Sequence, residues 1–325
     1  MVDSKQAPLD SAAAAKAAFA SVQDKPFPDD IFTAPELRWA VIGCGVIANQ
    51  MAQSLALAGR KLAGVANRTL SKAQAFAEQY GIEKVYESVE DLYADPGIDA
   101  VYITTPHNTH ITYLRDALAA GKHVLCEKAI TLNSAELDEA RAIADEHNVV
   151  LMDATTVLHM PLYQELRRRM DAGEFGRMNL AQLNFGSYKE YGDLTNRFYN
   201  RNLAGGAMLD IGVYALSVMR LFMASQPIEV VSLGNTCETG VDVAGGIVCR
   251  NAEQQLGVVS LTLHSKQPKR SIISFDKCYI EVNEYPRADH ATIVWTADGH
   301  REEVHAGTEA YALCSVSYTH LTLPT

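Results

Sequence analysis

Residues 39–48 read WAVIGCGVIA, an apolar run followed by a turn that contains two glycines. The run at 39–42 predicts a buried strand, and apolar residues at helical spacing from 46 to 58 predict a helix behind the turn. A second strand, predicted at 62–66, ends at Asn67 and Arg68. A strand, a glycine turn, a helix and a second strand form the unit that binds the pyrophosphate of a dinucleotide.

The small residues of this turn suit such a ligand. Gly43 permits a tight turn, Gly45 lets the backbone approach a pyrophosphate, and Ala48 lets the helix pack closely on the strand. The free N–H groups around Val46 and Ile47, where the helix begins, are predicted to hold the phosphates. The alternative is an ordinary strand–helix turn without a ligand; the correct flanking elements favour cofactor binding.

The end of the second strand indicates which dinucleotide is bound. An NAD site usually has Asp or Glu there, which accepts a hydrogen bond from the ribose 2′-hydroxyl. This chain has Asn67 and Arg68 instead. A guanidinium suits a 2′-phosphate, so we predict NADP as the cofactor, with NAD the weaker candidate. The alternative for Arg68 is a solvated surface side chain.

The alternation of strands and helices continues to about residue 152 and predicts an α/β fold. Its first part is a doubly wound, parallel Rossmann sheet with helices on both faces. Strand-like runs dominate after residue 160 and predict an α+β domain with an open-faced, mainly antiparallel sheet. The predicted divisions are an N-terminal extension at 1–35, a nucleotide-binding domain at 36–154, a substrate and oligomerisation domain at 155–314, and a non-native tail at 315–325.

Two further groups of residues stand out in this framework. Ligands bind beyond the carboxyl ends of parallel strands, so we expect cofactor contacts after the fourth and fifth strands. These candidates are Thr105, Pro106, Asn108, His110, Glu127 and Lys128. The second group is the predicted helix LAGGAMLDIGVY at 203–214, which places Asp210 and Tyr214 on one face. Spacing alone also allows a buried helix with a satisfied Asp and a core Tyr.

Composition excludes several classes of partner. The net charge of −11 argues against nucleic acid and anionic membrane, which need a basic face. There is no apolar run long enough to span a bilayer and no continuous apolar segment of a secretory signal. The six cysteines are scattered without metal-ligand spacing, so we predict no metal site and reduced thiols in a cytoplasmic protein.

Taken together, these motifs resemble the glucose–fructose oxidoreductase / inositol 2-dehydrogenase (Gfo/Idh/MocA) family. The matching segments are 41–45, 105–110, 121–128 (GKHVLCEK) and 205–214. The resemblance implies NAD(P)-linked redox chemistry at a hydroxyl or carbonyl of a sugar or cyclitol. It also implies dimers or higher homo-oligomers formed through the second sheet. The catalytic lysine of the family maps to Lys128, and its Asp and following His or Tyr map to Asp210 and Tyr214.

The chain departs from the family pattern at two places. Ala129 stands where the family usually has proline after Glu-Lys, so we expect Lys128 to be held less rigidly. Residues 315–325 do not match the family and resemble translated adapter or vector read-through, so we expect the natural chain to be truncated near residue 314.

The resemblance suggests how the site divides the chemistry. We expect Tyr214 to be the general acid/base, because the Lys128 ammonium would lower the phenol pKa from its usual value of about 10. The sequence also allows Lys128 to carry the proton itself. Asp210 would accept from a neighbouring substrate hydroxyl. Further candidate substrate contacts are His159, Tyr188, Arg197 and Tyr199.

Three functions are consistent with this sequence. We favour an NADP-dependent dehydrogenase of a small sugar, polyol or dihydrodiol. The second is an oxidoreductase that never releases its nucleotide, and the third is a non-enzymatic, nucleotide-sensing regulator on the same fold. Intact Lys128, Asp210 and Tyr214 argue against the regulator, which needs no proton relay.

Overall fold

The computed structural model describes residues 37–57 and 60–306. The predicted N-terminal extension at 1–35, the predicted tail at 315–325 and Ala58 at the end of the first predicted helix lie outside these residues.

Six parallel strands form the first sheet, in the order β3-β2-β1-β4-β5-β6. The strands are β1 Trp39–Ile42, β2 Gly64–Ala66, β3 Lys84–Tyr86, β4 Ala100–Ile103, β5 His123–Cys126 and β6 Leu151–Asp153. The predicted doubly wound fold is confirmed. Because the strand order reverses between β1 and β4, a crevice opens at their carboxyl ends, where such sheets bind ligands.

Within residues 37–57 and 60–306, five helices cover this sheet on both faces. They are α1 Val46–Leu57, α2 Leu70–Tyr80, α3 Val89–Ala94, α4 His110–Ala119 and α5 Ser134–Glu146. Val41 lies in the apolar core of one face and Ile42 in the core of the other, since successive strand residues point to opposite sides. Both cores bury β1 and β4 completely, which explains why these strands are apolar throughout.

The second sheet has eight strands in the order β14-β13-β12-β11-β7-β10-β9-β8. Its strands are β7 Met178–Gly186, β8 Pro227–Thr236, β9 Asp242–Asn251, β10 Leu256–Thr262, β11 Gln267–Phe275, β12 Cys278–Asn283, β13 His290–Trp295 and β14 Arg301–His305. Among the described strands of this sheet, only β7 and β10 pair in parallel, so the sheet is mainly antiparallel, as predicted. The core beside it includes residues of α6 (Pro161–Asp171) and α7 (Val213–Phe222). Strand β8 lies at the sheet edge and is exposed along almost its whole length.

The predicted helix at 203–214 is wrong in its beginning and in its type. Residues 204–206 form a turn, a π-helical turn spans Met208–Gly212, and α7 follows from Val213. Contrary to the sequence expectation that no apolar run is long enough to span a bilayer, the stretch Arg201–Phe222 meets that criterion by length and composition, and half of its most apolar part is buried inside the protein. A core helix of a globular domain has the same properties, and the core contains Ala215, Val218 and Phe222 from this segment.

Candidate active site

The turn after β1 has the geometry that a pyrophosphate requires. Gly43 has a φ of +102°, and a Cβ there would lie 2.7 Å from Thr104 Oγ1 and 3.2 Å from its carbonyl oxygen. A Cβ on Gly45 would meet nothing within 4 Å, so this side of the turn is open to a ligand. Val46 is 73% exposed, and the first turn of α1, which includes Ile47, carries no acidic residue. The unpaired N–H groups at this helix start therefore fit an anionic cofactor.

The two residues after β2 have different surroundings. The Asn67 side chain donates to the carbonyl of Thr69 at 3.0 Å and so closes its own loop. Arg68 is exposed and, within the part of the chain that the structure describes, makes no hydrogen bond or ion pair. Its guanidinium is therefore available to a phosphate beyond the end of β2.

The segment after β4 has one buried acceptor without a partner. Asn108 Oδ1 is buried and has no hydrogen-bond partner among the described residues. An unpaired buried acceptor is costly, so a donor from a bound cofactor suits this position. Pro106 is exposed, and Thr105 Oγ1 accepts a hydrogen bond from Thr109 at 2.8 Å.

His110 does not face a cofactor, which corrects the sequence prediction. Its side chain is completely buried beneath the turns that follow β4 and β5. One ring nitrogen lies 2.8 Å from the carbonyl oxygen of Thr105, and the other lies 2.9 Å from that of Ala129. His110 therefore links the two turns and positions the residues on either side of it.

The turn after β5 carries one residue that faces inward. Glu127 Oε1 accepts from the Tyr102 hydroxyl on β4 at 2.5 Å, and burial raises the Glu127 pKa. The Lys128–Ala129 peptide bond is cis, at the position where the family usually has proline. Glu127 thus contacts the neighbouring strand rather than presenting its carboxylate to a cofactor.

Lys128 brings the two sheets together at the predicted catalytic residues. Its Nζ donates to the Asp210 carbonyl oxygen at 2.8 Å and lies 3.6 Å from Asp210 Oδ1. The same Nζ lies 4.8 Å from the centroid of the Tyr214 ring. The side chains of Lys128 and Asp210 are 13% and 11% exposed, so solvent screens their interaction only weakly. The structure therefore places all three predicted catalytic residues in one cluster.

The Tyr214 pKa differs from the sequence-based expectation. Burial raises it, and the opposing effect of the Lys128 charge is smaller. The Tyr214 side chain is half-buried, and its ring centroid lies 6.0 Å from that of Phe185, so the phenolate would lose hydration. The Tyr214 hydroxyl makes no hydrogen bond to any described residue, which leaves it available to a substrate.

Two glycines allow the chain to enter this cluster. A Cβ on Gly205 would lie 2.7 Å from the Arg197 carbonyl oxygen and 2.6 Å from that of Phe198. Gly206 has a φ of +123°, which side chains rarely permit. Asp242 Oδ2 then accepts from the Met208 N–H at 2.7 Å, which fixes the start of the π turn.

The four predicted substrate contacts have separate outcomes. Arg197 Nη1 lies 3.2 Å from Asp210 Oδ1, so Arg197 joins the cluster. The Tyr188 side chain is 60% exposed and lies nine residues before Arg197 in the chain. His159 is half-buried, and burial lowers its pKa to about 4. Tyr199 is completely buried, and its hydroxyl donates to the Lys189 carbonyl at 2.8 Å. The prediction for Tyr199 is therefore corrected to a role in the packing beneath the site.

Sequence reasoning missed His107. One ring nitrogen lies 3.0 Å from the carbonyl oxygen of Lys128, and the other lies 3.4 Å from that of Ala204. Burial, together with the Lys128 charge, lowers the pKa of His107 to about 4, so the ring is neutral near pH 7. No sequence signal identifies it, because its partners are 21 and 97 residues away. Among the described residues, no group of three or more His, Cys, Asp or Glu side chains could hold a metal ion.

Comparison with known proteins gives consistent results over both sheets. The sequence model of the oxidoreductase family with an NAD-binding Rossmann fold, GFO_IDH_MocA, matches residues 37–155. The GFO/IDH/MocA C-terminal domain matches residues 163–281. A trans-1,2-dihydrobenzene-1,2-diol dehydrogenase from Mus musculus is 32% identical over 254 residues, which cover 76% of this chain and 75% of that protein. The Homo sapiens enzyme of the same name is 36% identical over 210 residues, which cover 63% and 62% of the two chains.

Two solved structures share the fold at low sequence identity. Levoglucosan dehydrogenase, in complex with NADH and levoglucosan, has a TM-score of 0.80 at 19% identity and covers 88% of this chain and 89% of its own. The 3-ketoreductase KijD10 from Actinomadura kijaniata, in complex with NADP and TDP-benzene, has a TM-score of 0.77 at 23% identity and covers 89% and 92%.

Proposed function

The chain belongs to the Gfo/Idh/MocA family of oxidoreductases, and from that premise we propose a more specific activity. The protein transfers a hydride between NADP and a hydroxyl or carbonyl group of a sugar, polyol or related diol. The observation that carries this proposal is the cluster of Lys128, Asp210 and Tyr214 beside the carboxyl ends of β4 and β5. The names of the Mus musculus and Homo sapiens relatives support a diol, and levoglucosan supports a sugar.

The side chains of this cluster divide the work. Nicotinamide, when bound, supplies hydride chemistry. Lys128 Nζ is already bonded to the Asp210 carbonyl and faces its carboxylate, whereas the Tyr214 hydroxyl has no partner among the described residues. Tyr214 is therefore the group that exchanges a proton with the substrate oxygen, and the Lys128 charge stabilises that oxygen as it becomes negative. Asp210 keeps acceptor sites for a second substrate hydroxyl, which orients a polyol.

The preference for NADP rests on Arg68. Its guanidinium is exposed at the end of β2, and no carboxylate precedes it there to repel a 2′-phosphate. KijD10 was crystallised with NADP and levoglucosan dehydrogenase with NADH, so both nucleotides occur on this fold. Arg68 is the feature of this chain that favours NADP.

A substrate screen tests the proposed activity. Aldoses, inositols and vicinal diols are offered with NADP or NAD, and nicotinamide absorbance is followed. We expect NADP reduction with at least one class. Tight NADP binding without turnover of any compound would instead support the nucleotide-sensing regulator. NADP released only when the purified protein is denatured would identify an enzyme that keeps its nucleotide.

We also propose that copies of the protein associate through the second sheet. Apolar side chains of the edge strand β8 are exposed, with Val231 at 70% and Leu233 at 83%. Exposed apolar groups of this extent favour association. Light scattering after size-exclusion chromatography tests this proposal, and Leu233→Glu is expected to shift the protein towards monomer. A wild-type protein that is monomeric at micromolar concentration would contradict it.

A further inference from the structure

Two cationic side chains pair with the single carboxylate of Asp210. Arg197 and Lys128 both pair with this one carboxylate, at 3.2 Å and 3.6 Å. A third cation, Lys189, has no ion-pair partner among the described residues. This surplus occurs in a chain whose net charge is −11, so general basicity does not explain it.

Lys189 and Arg197 share an aromatic support. Lys189 Nζ lies 4.4 Å from the centroid of the Phe198 ring, and Arg197 Cζ lies 4.1 Å from the same centroid. Cations at such distances are attracted to the ring face. One phenyl ring therefore holds an ammonium and a guanidinium near each other, although like charges repel.

The backbone beneath these cations is held in place. Lys189 N–H donates to the Leu263 carbonyl at 2.8 Å, and the Lys189 carbonyl accepts from the buried Tyr199 hydroxyl at 2.8 Å. The Phe198 carbonyl accepts from Gly206 N–H at 2.9 Å, which ties the support to the turn before Asp210. The arrangement is thus built into the fold and continuous with the catalytic cluster.

Neighbouring carboxylates do not neutralise Lys189. Asp193, on the same segment, accepts from both the N–H and the hydroxyl of Thr195. Glu284 pairs with Lys269 at 2.9 Å. Burial lowers the Lys189 pKa, while the Asp210 carboxylate acts in the opposite direction.

We propose that Lys189 and Arg197 form a subsite for an acidic group, a carboxylate or a phosphate, carried by the substrate. This inference rests on the proposed function and makes its substrate class more specific, namely a sugar or polyol acid or a sugar phosphate. An anionic group between the two cations would remove their repulsion and accept charge-assisted hydrogen bonds from both.

Ligand binding to the protein–NADPH complex tests the subsite apart from catalysis, because reduced nicotinamide cannot oxidise a sugar hydroxyl and a constant NADPH absorbance excludes reduction of the aldose carbonyl. Calorimetry compares glucose, glucuronate and glucose 6-phosphate. We expect at least one acidic ligand to bind about 10- to 100-fold more tightly than glucose. The acidic ligand that binds more tightly shows whether the subsite prefers a carboxylate or a phosphate. Added salt is expected to weaken the binding of the acidic ligands but not that of glucose.

Variants locate the effect. Lys189→Gln is expected to reduce the ratio of acidic to neutral affinity by about 10-fold, and Lys189→Arg to retain it. Lys61→Gln removes a positive charge from an exposed pair with Glu83 and should keep the wild-type ratio. Thermal unfolding and NADPH affinity report whether each variant is folded.

Three results would overturn the subsite. They are equal binding of glucose and both acidic ligands, no binding of either acidic ligand, and full discrimination in Lys189→Gln. Failure of the proposed activity would give a different result. No compound would reduce the nicotinamide, while acidic and neutral ligands would still differ in affinity.

Discussion

The turn after β1 and the cluster around Asp210 are built from residues at very different sequence separations. All parts of the nucleotide turn lie between residues 39 and 68, and neighbouring strands hold them in place. The cluster combines Lys128 from the first sheet with Arg197, Asp210 and Tyr214 from the second half of the chain. A local site can be recognised from its own sequence, whereas a site formed by distant segments depends on contacts that only the folded chain makes.

The largest effect is expected where the cluster depends on one side chain. Lys128→Ala removes the charge beside the reacting oxygen and is expected to lower kcat by about 1,000-fold. NADP affinity should change by no more than a few fold, because the nucleotide turn is a separate structure. Steady-state kinetics and nucleotide titration measure both, with Lys61→Ala as the control. Wild-type turnover would remove Lys128 from the mechanism.

Tyr214→Phe tests the proton-exchanging group of the same cluster. We expect a loss of about 100-fold in kcat, within the range for a general acid/base. Tyr279→Phe on β12 removes a hydroxyl outside the cluster and is the matched control. Wild-type rates for Tyr214→Phe across pH 6–9 would assign the proton to Lys128.

The pH dependence of the wild type sharpens this test. Because burial raises the Tyr214 pKa, the phenolate that accepts a proton during oxidation is scarce at neutral pH. The kcat/KM for alcohol oxidation should therefore rise with pH from 7 to 10, while carbonyl reduction, which uses the protonated phenol, should stay level. A level profile for oxidation over this range would contradict Tyr214 as the base.

Arg68→Ala tests the local site in isolation. Loss of a charge-assisted bond to the 2′-phosphate should weaken NADP binding by about 10- to 150-fold and leave NAD binding unchanged. Raised salt should reduce the wild-type preference, because the guanidinium is exposed. Fluorescence titration of both nucleotides measures the effect. Equal wild-type affinity for NADP and NAD would show that Arg68 faces solvent only.

The smallest expected effect is on stability, at the position where the backbone of Gly205 packs closely against that of Arg197 and Phe198. Gly205→Ala places a Cβ against the Arg197 and Phe198 carbonyls and is expected to lower the free energy of unfolding by about 1–3 kcal/mol. Gly246→Ala, where a Cβ would meet nothing within 4 Å, is the control and should cause no loss. Denaturant titration compares them, and equal stability of both variants would contradict the close-approach argument.

Local patterns predicted most of the fold. The alternation of strands and helices in the first sheet was predicted from short apolar runs that lie between helical patterns, and the strands β1 and β2 end directly at Gly43 and Asn67. Strand β14 was missed, since Arg301, Glu302 and Glu303 hide the alternation that marks a strand. The π turn before α7 was also missed, because helical spacing does not distinguish an α-helix from a π-helical turn over so few residues.

The site was predictable only in part. The family motifs predicted Lys128, Asp210 and Tyr214 as catalytic residues, and the structure places these three side chains together. The buried bridge of His110, the packing of Tyr199 and the raised pKa of Tyr214 all depend on burial and on partners far along the chain. Sequence spacing carries no information on these quantities.

Because Lys128 donates to the Asp210 carbonyl, catalytic activity depends on the two halves of the chain being in contact. Lys128 lies in the turn after β5 of the first sheet, Asp210 lies in the π turn before α7, and the two are 82 residues apart in the chain. Arg287 reaches across in the same way, donating to Gln50 on α1 at 2.9 Å. Contacts between such units open more readily than the cores within them. A low concentration of denaturant is therefore expected to abolish turnover while each sheet keeps its secondary structure.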